Sequence, residues 1–248
     1  MIKCDRAAQK SDIMSQNLDA KISIIIPVLN EAENIKEAIA CTQPSTNIEI
    51  IIVDGGSQDD IYHIELPINV IIIASSPGRA IQMNKGAAFA SGDILVFLHA
   101  DTRLPTGYDV MIRTALQQPE TVAGAFALRI DADVASLRLI EWGVNWRSRF
   151  WQMPYGDQAI FITKDTFNKI GHFPELPFME DFEIMRRLKR IGKITILPVP
   201  VITSARRWLQ KGVWQTTLIN QIIIIAYLLG VSPVRIVHWY KQEKFRKI

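Results

Sequence analysis

The chain has 248 residues, 48% hydrophobic and 21% charged, with a formal net charge of +3. That length accommodates one large domain or one domain with an appendage and leaves no room for two of full size. Two cysteines without paired spacing, Cys4 and Cys41, exclude a disulfide framework and point to a reduced, cytoplasmic setting.

Residues 1–20 are polar and mixed in charge, without the apolar core of a signal peptide or a membrane span, and are expected to form a loose lead. Lys21 to Pro27 reads as a first strand and Asn30 to Ile39 as the helix that follows, with Asn30 as N-cap. Ile48 to Val53 is a second buried strand, closed by Asp54-Gly55-Gly56-Ser57, and Asn69 to Ile73 is a third. A helix from about Arg79 to Ala90 leads to the apolar run Ile94 to Leu98, which ends at His99-Ala100-Asp101. Strands alternating with helices predict a parallel sheet with right-handed crossovers. In such a sheet ligands bind beyond the carboxyl ends of the strands, which is where Asp101 stands.

After Asp101 the pattern becomes mixed. A helix is expected near Tyr108 to Gln117, an extended stretch over Val122 to Ile130, then a variable segment rich in Trp and Arg up to Trp151. Gly156-Asp157-Gln158 precedes a strand at Ala159 to Ile162, and Glu180-Asp181 open a helix continuing through Ile184, Leu188 and Ile191. From Thr203 onward eight Lys or Arg face only Glu243. That excess suits a phosphate-bearing ligand, a nucleic acid or anionic lipid, and charge alone does not choose. Thr216 to Val231 is apolar but interrupted by Asn220 and Gln221, too short and polar for a span. A core helix and a helix lying in a membrane interface, flanked by Trp214, Trp239 and Tyr240, both fit it.

Five short motifs occur in order: Pro27-Val28-Leu29-Asn30-Glu31, Asp54-Gly55-Gly56-Ser57, Gly92-Asp93, His99-Ala100-Asp101 and Glu180-Asp181. Together they resemble the successive motifs of family 2 glycosyltransferases over about residues 22–208. Gly78-Arg79-Ala80, Gln82-Met83-Asn84 and Phe97 to Thr102 further resemble a bacterial subgroup associated with radical-SAM and selenoprotein-domain proteins. The resemblance implies an α/β protein of the GT-A fold: a mixed central sheet with a Rossmann-like N-terminal half. Residues 21–212 would form that domain, and 213–248 a basic, partly apolar helical extension.

The implied activity is inverting transfer of a sugar from a nucleotide-diphosphate donor, commonly a UDP-sugar, to an acceptor hydroxyl, with Mg²⁺ or Mn²⁺. By resemblance, Pro27, Asn30, Glu31, Asp54, Arg79, Asn84, His99 and Arg207 would bind the nucleotide sugar, and Asp101 the metal. Asp181, with Glu180 beside it, would be the catalytic base, and Asp157, Gln158 and Trp208 would meet the acceptor. His99 replaces the first aspartate of the family's metal motif, so it would touch nucleotide, bind Mn²⁺ or serve structure. Ser204 replaces the glutamine of the motif of processive members, which argues against a polymerising synthase. The expected partners are the donor and a glycan, lipid-linked or small-molecule acceptor, with no nucleic acid, and the extension is a candidate for peripheral contact with the cytoplasmic membrane face.

Two other enzyme classes are disfavoured: a nucleotidyltransferase wants a Gly-rich basic loop after the first strand, and a dinucleotide enzyme wants Gly-x-Gly-x-x-Gly. A non-catalytic protein that keeps the fold with altered metal chemistry is the remaining rival, and His99 permits it.

Overall fold

The computed structural model describes residues 19–43 and 45–238; the loose lead expected over 1–20 lies almost wholly outside them, as do Trp239 and Tyr240. The strands are β1 (Ile22–Val28), β2 (Ile48–Asp54), β3 (Val70–Ala74), β4 (Ile94–Phe97), β5 (Thr102–Arg103), β6 (Thr121–Asp131), β7 (Ile160–Thr163) and β8 (Lys193–Ser204). The helices are α1 (Ala32–Ala40), α2 (Arg79–Phe89), α3 (Tyr108–Leu116), α4 (Ala135–Trp151), α5 (Lys164–Lys169), α6 (Glu180–Leu188), α7 (Arg206–Lys211) and α8 (Val213–Leu228).

The eight strands form one sheet in the order β3-β2-β1-β4-β7-β6-β8-β5. The β3-β2-β1-β4 half is parallel, as the alternation of elements predicts. Beyond it the sheet is mixed: β7 runs antiparallel to both β4 and β6, and β6 pairs parallel with β8. Beta-branched side chains drive this because successive residues point to opposite faces and both faces are covered. Ile24, Ile26, Ile50, Ile52 and Val96 enter one core; Ile25, Ile51, Val53, Leu95 and Phe97 enter the other. Each such side chain, fully buried, contributes about 1.5–3 kcal/mol.

Three local readings need correction. Asn30 does not cap the first helix. It takes φ +56°, and the cap position falls to Glu31, whose side chain makes no capping bond. The Asn30 carboxamide instead accepts the Gln58 N–H at 2.8 Å, tying two loops together.

The Trp-rich segment is part of the 17-residue helix α4. Its buried face carries Leu137, Glu141 and Ser148, while Trp142, Phe150 and Trp151 are exposed, so apolar periodicity points the wrong way. Polar residues face inward here because β6 meets β7 only at Ala123 and Gly124, which leaves the far part of that edge needing partners. Asn145 accepts the Leu128 N–H at 2.8 Å and donates to its carbonyl at 3.0 Å, and Glu141 accepts the Ile130 N–H.

The long β8 strand, with Pro198 and Pro200 in its middle, has no counterpart in the sequence reading. The β6/β8 register shifts between Phe126 and Ala127, an irregularity that accommodates residues without a ladder donor.

Candidate functional site

The carboxyl ends of β1 and β4 open on a cleft made of two adjoining cavities. One, of about 410 Å³, lies over the strand ends and is lined by Pro27, Glu31 and Gly78. The other, of about 340 Å³, is lined by Asp157, Asp181, Arg207 and Trp208, with Ile223 and Ile224 of α8 as a wall. Arg79, His99, Asp101, Phe178 and Glu180 border both, so the two spaces meet at these side chains.

Arg79 is the first residue of α2, preceded by Gly78 at φ +137°, a conformation that side-chain-bearing residues rarely adopt. Its guanidinium, half-exposed, reaches Glu180 Oε1 at 3.2 Å. Glu180, only 4% exposed, opens α6 after Met179 at φ +70°. Burial raises the Glu180 carboxyl pKa, the Arg79 charge opposes that, and Asp181 adds to it. Asp181 Oδ2 accepts the Gly156 N–H at 3.0 Å, and Oδ1 faces the Phe182 N–H at 2.7 Å. A side chain at Gly156 would sit 2.9 Å from His99 Nε2 and 3.6 Å from Asp181 Oδ2, so the glycine lets these two groups approach.

His99 keeps part of its surface accessible, but its Nε2 is sealed from solvent without a hydrogen-bond partner. Burial, then the Arg79 charge, push its pKa down to about 3, so the ring is neutral. Asp101 follows at the loop, its carboxyl raised by burial and by Glu31, with Arg206 and Arg79 pulling the other way. Arg206 binds Glu31 across the cleft mouth at 2.9 Å. Asp157 Oδ1 is also buried and unpartnered; burial outweighs the nearby Arg147 and, with Asp181, raises the carboxyl to about 6. Arg147 itself lies over the Tyr155 ring, 3.5 Å from its centre. Trp208 Nε1 is a third sealed, unpartnered polar atom on the cavity wall, and Arg207 donates to Asn220 at 3.0 Å.

Not every candidate reaches the cleft. Asn84 spends its amide on Phe173, donating to its carbonyl at 2.9 Å and accepting its N–H at 3.0 Å, and lines neither cavity. Gln158 is fully buried, donating to Phe126 O at 2.8 Å and accepting from Ser148 at 2.8 Å, so it is a core strut. Asp54 and Asn30 also lie off the cavity linings. Asp54 accepts the Gly56 and Ser57 N–H groups at 3.2 and 2.9 Å and the Tyr62 hydroxyl at 2.9 Å. Burial alone would raise its pKa, but these bonds hold it below the ordinary value.

Sequence reasoning missed Arg206, Tyr155, Phe178, Met179 and the α8 wall, because nothing local marks residues that meet only in space. Gln82 was legible as a lone amide on the buried face of α2. Its Nε2 donates to Val28 O and Val53 O, each at 2.8 Å, and holds the ends of β1 and β2 together.

Among the described residues no three His, Cys, Asp or Glu side chains gather to enclose a metal. A cation bound chiefly by a diphosphate needs only one or two protein carboxylates. Asp101, crowded by Glu31, and the unpartnered Nε2 of His99 two residues away fit such a partial donor set.

Relatives agree with the architecture. The chain is 35% identical over 91 residues to the glycosyltransferase AglE of Haloferax volcanii, covering 32% of this chain and 30% of that one. It is 34% identical over 98 residues to an undecaprenyl-phosphate 4-deoxy-4-formamido-L-arabinose transferase of Sodalis glossinidius, again 34% and 30% of the two chains. The matches thus span under a third of these curated relatives. Among solved structures, S. aureus TarS (residues 1–349) superposes with a TM-score of 0.59 at 17% identity, covering 75% of this chain and 60% of that one. The mannosyltransferase PcManGT of Pyrobaculum calidifontis, solved with GDP-Man and Mn²⁺, gives 0.59 at 18% identity, covering 75% and 56%. The fold is GT-A, and the model of "Glycosyl transferase family 2" matches residues 23–174, more than half of the sequence. The chain belongs to glycosyl transferase family 2.

Proposed function

We propose that this protein is an inverting glycosyltransferase that moves a sugar from a nucleotide-diphosphate donor, a UDP-sugar, to an acceptor hydroxyl with a divalent cation. One observation carries this reading: Asp101 and Asp181, 80 residues apart in sequence, border one cavity, which adjoins a second over the strand ends. The strand-end cavity suits the nucleotide, with Pro27 and Glu31 along it. The cavity walled by α8 suits the acceptor, with Asp157 and Trp208 in its lining. UDP is bound in one TarS structure and GDP-Man in that of PcManGT, which supports a nucleotide-diphosphate donor here; uridine as its nucleoside is part of the proposal.

In this reading the donor sugar lies where the cavities meet. Arg79, held by Glu180 at the start of α2, faces the diphosphate together with the helix N-terminus, and both favour the charge that builds as the glycosidic bond breaks. A divalent cation held by Asp101, with His99 beside it, would neutralise diphosphate charge. Asp181 accepts the acceptor proton at Oδ2 as the acceptor oxygen attacks the anomeric carbon from the face opposite the diphosphate. One in-line displacement inverts that carbon. Glu180 is tied to Arg79 and serves as a positioning residue. Asp54 and Asn30, which shape the neighbouring loops, would meet the base only at the cleft's edge.

The subgroup associated with radical-SAM and selenoprotein-domain proteins is the reading that its Gly78 to Asn84 run supports. Residues 21–212 would be the catalytic unit and 213–248 an extension that contributes α8 to the cavity wall.

Two variants test this. Asp181→Asn is expected to lower transfer about 10²–10⁴-fold while Mn²⁺-dependent UDP affinity in calorimetry stays unchanged; ordinary turnover removes Asp181 from the mechanism. Asp101→Ala is expected to abolish the difference in UDP affinity with and without Mn²⁺. If that difference persists, Asp101 is not the ligand.

A further inference from the structure

Two apolar stripes on the outside of the C-terminal half take no part in the cleft chemistry. Trp214, Leu218, Ile222, Ile225 and Leu229 along α8 and its cap are all exposed, Leu229 by 79%. Steps of three and four residues place them on one side of the helix. The opposite side, with Ile219 and Ile223, packs on Phe178, Met179 and Phe182. On α4, Leu139, Trp142, Trp146 and Phe150 repeat the spacing, with Trp142 66% and Phe150 69% exposed. Trp146 meets Phe150 at a tilt and Trp151 edge-on, with ring centres 5.3 and 5.4 Å apart. The two helices touch.

Nine large apolar side chains presented on adjacent helices call for a partner. The charge along this segment narrows the choice: α8 contains no charged residue, and from Ala205 to His238 the charges are Arg206, Arg207, Lys211 and Arg235, with no Asp or Glu, although Glu183 meets Tyr227 and Asp131 and Asp133 precede α4. A helix stripe that pairs with a second copy is ordinarily flanked by charges of both signs that set register. Beyond the two ends of α8 stand Lys211 and Arg235, while Arg206 is paired with Glu31 and Arg207 faces the cleft; with Trp and Phe crowding the neighbouring helix, this suits an anionic lipid headgroup layer. No helix among the described residues is long and apolar enough to cross a membrane.

We propose that α4 and α8 together dock the protein flat on an anionic lipid surface. α8 shows one side to that surface and the other, through Asn220, Ile223 and Ile224, to the cavity of Asp181. The acceptor is accordingly a lipid-borne headgroup oxygen, a clause that rests on the glycosyltransferase reading above.

The test is sedimentation of the full chain with phosphatidylcholine vesicles, with and without phosphatidylglycerol. Partition onto the anionic vesicles is expected to be at least about tenfold stronger and to weaken in high salt. Trp142→Ser with Phe150→Ser, and separately Ile222→Ser with Ile225→Ser, should each lower it about tenfold or more. These positions are exposed, and unchanged Mn²⁺-dependent UDP affinity verifies that each variant is folded. Absent partition, equal partition onto both vesicle types, or double variants that bind as wild type all overturn the proposal. So does light scattering in which Ile222→Ser with Ile225→Ser splits a dimer while vesicle binding persists, since the stripe then joins two copies. Vesicle partition reads the surface and nucleotide affinity reads the cleft. Asp181→Asn should therefore partition as wild type, and a protein that docks without binding nucleotide fails the functional reading alone.

Discussion

Three amides of the frame behind the cleft and three polar side chains of the cleft itself are partnered in opposite ways. On the frame, Asn84 clasps Phe173, Gln158 ties Phe126 to Ser148, and Gln82, at the floor of the strand-end cavity, bridges two strand-end carbonyls, all with donors and acceptors between 2.8 and 3.0 Å. In the cleft, His99 Nε2, Asp157 Oδ1 and Trp208 Nε1 are sealed from solvent with no partner. A buried polar atom without a partner costs about 1–3 kcal/mol, so the cleft carries strain in solvation that the frame offsets. Sealed atoms without a partner also occur away from the cleft, at Asp59 Oδ1, Ser75 Oγ and Gln117 Nε2, so the contrast belongs to these named side chains and not to every buried polar group.

The comparison breaks if substitutions on the frame disturb turnover of folded protein, or if those in the cleft disturb stability in the wrong direction. The largest stability effect is expected from Gly124→Ala. Its new methyl would lie 2.3 Å from the Phe161 ring and 2.6 Å from the Thr195 carbonyl oxygen, where β6 is held on both sides. A loss of about 1–3 kcal/mol in urea unfolding is expected, with turnover per folded molecule unchanged. Gln82→Leu is next: it keeps the volume but strips the bridge from the Val28 and Val53 carbonyls, for a loss of about 1–3 kcal/mol. If Gln82→Leu is as stable as wild type, those carbonyls have found water and the frame is looser than its hydrogen bonds imply.

Asp157→Asn is the smallest effect and runs the other way. The folded protein keeps the Asp157 proton up to about pH 6, while an unfolded chain releases it near 3.8. Folded molecules therefore hold more protons between those values, and this group's contribution to stability falls as pH rises through that window. Asn removes the charge, so the variant should melt higher at pH 7, by about 2–4 °C for each kcal/mol regained, and lose this part of the slope between pH 4 and 6. A lower melting temperature at pH 7 would mean that the ionised carboxylate has a partner in the folded state.

Much of the frame was legible in the chain. Runs such as Ile48 to Val53 specify strands buried on both faces, and the helices between them require the parallel half of the sheet. The mixed second half followed from the change of pattern after Asp101. Helix α4 was not legible, because it buries Glu141 and Ser148 and turns its tryptophans outward, against the rule that apolar spacing marks the inner face. Asn84 and Gln158 show the matching limit at the site. Both sit in motifs rich in cleft residues, yet their amides point to backbone elsewhere, and a motif records order along the chain without direction.

The sequence by itself determined the elements, the family and the candidate acids, because burial periodicity and short motifs are local properties. Only the tertiary structure decided which of those residues face a common space. Asp101 and Asp181 meet through the carboxyl end of β4 and the start of α6, Arg206 closes on Glu31 across 175 positions, and one side of α8 becomes a cavity wall. Such meetings depend on sheet order and helix orientation, which are set by the packing of both cores together, so no window of the chain contains them.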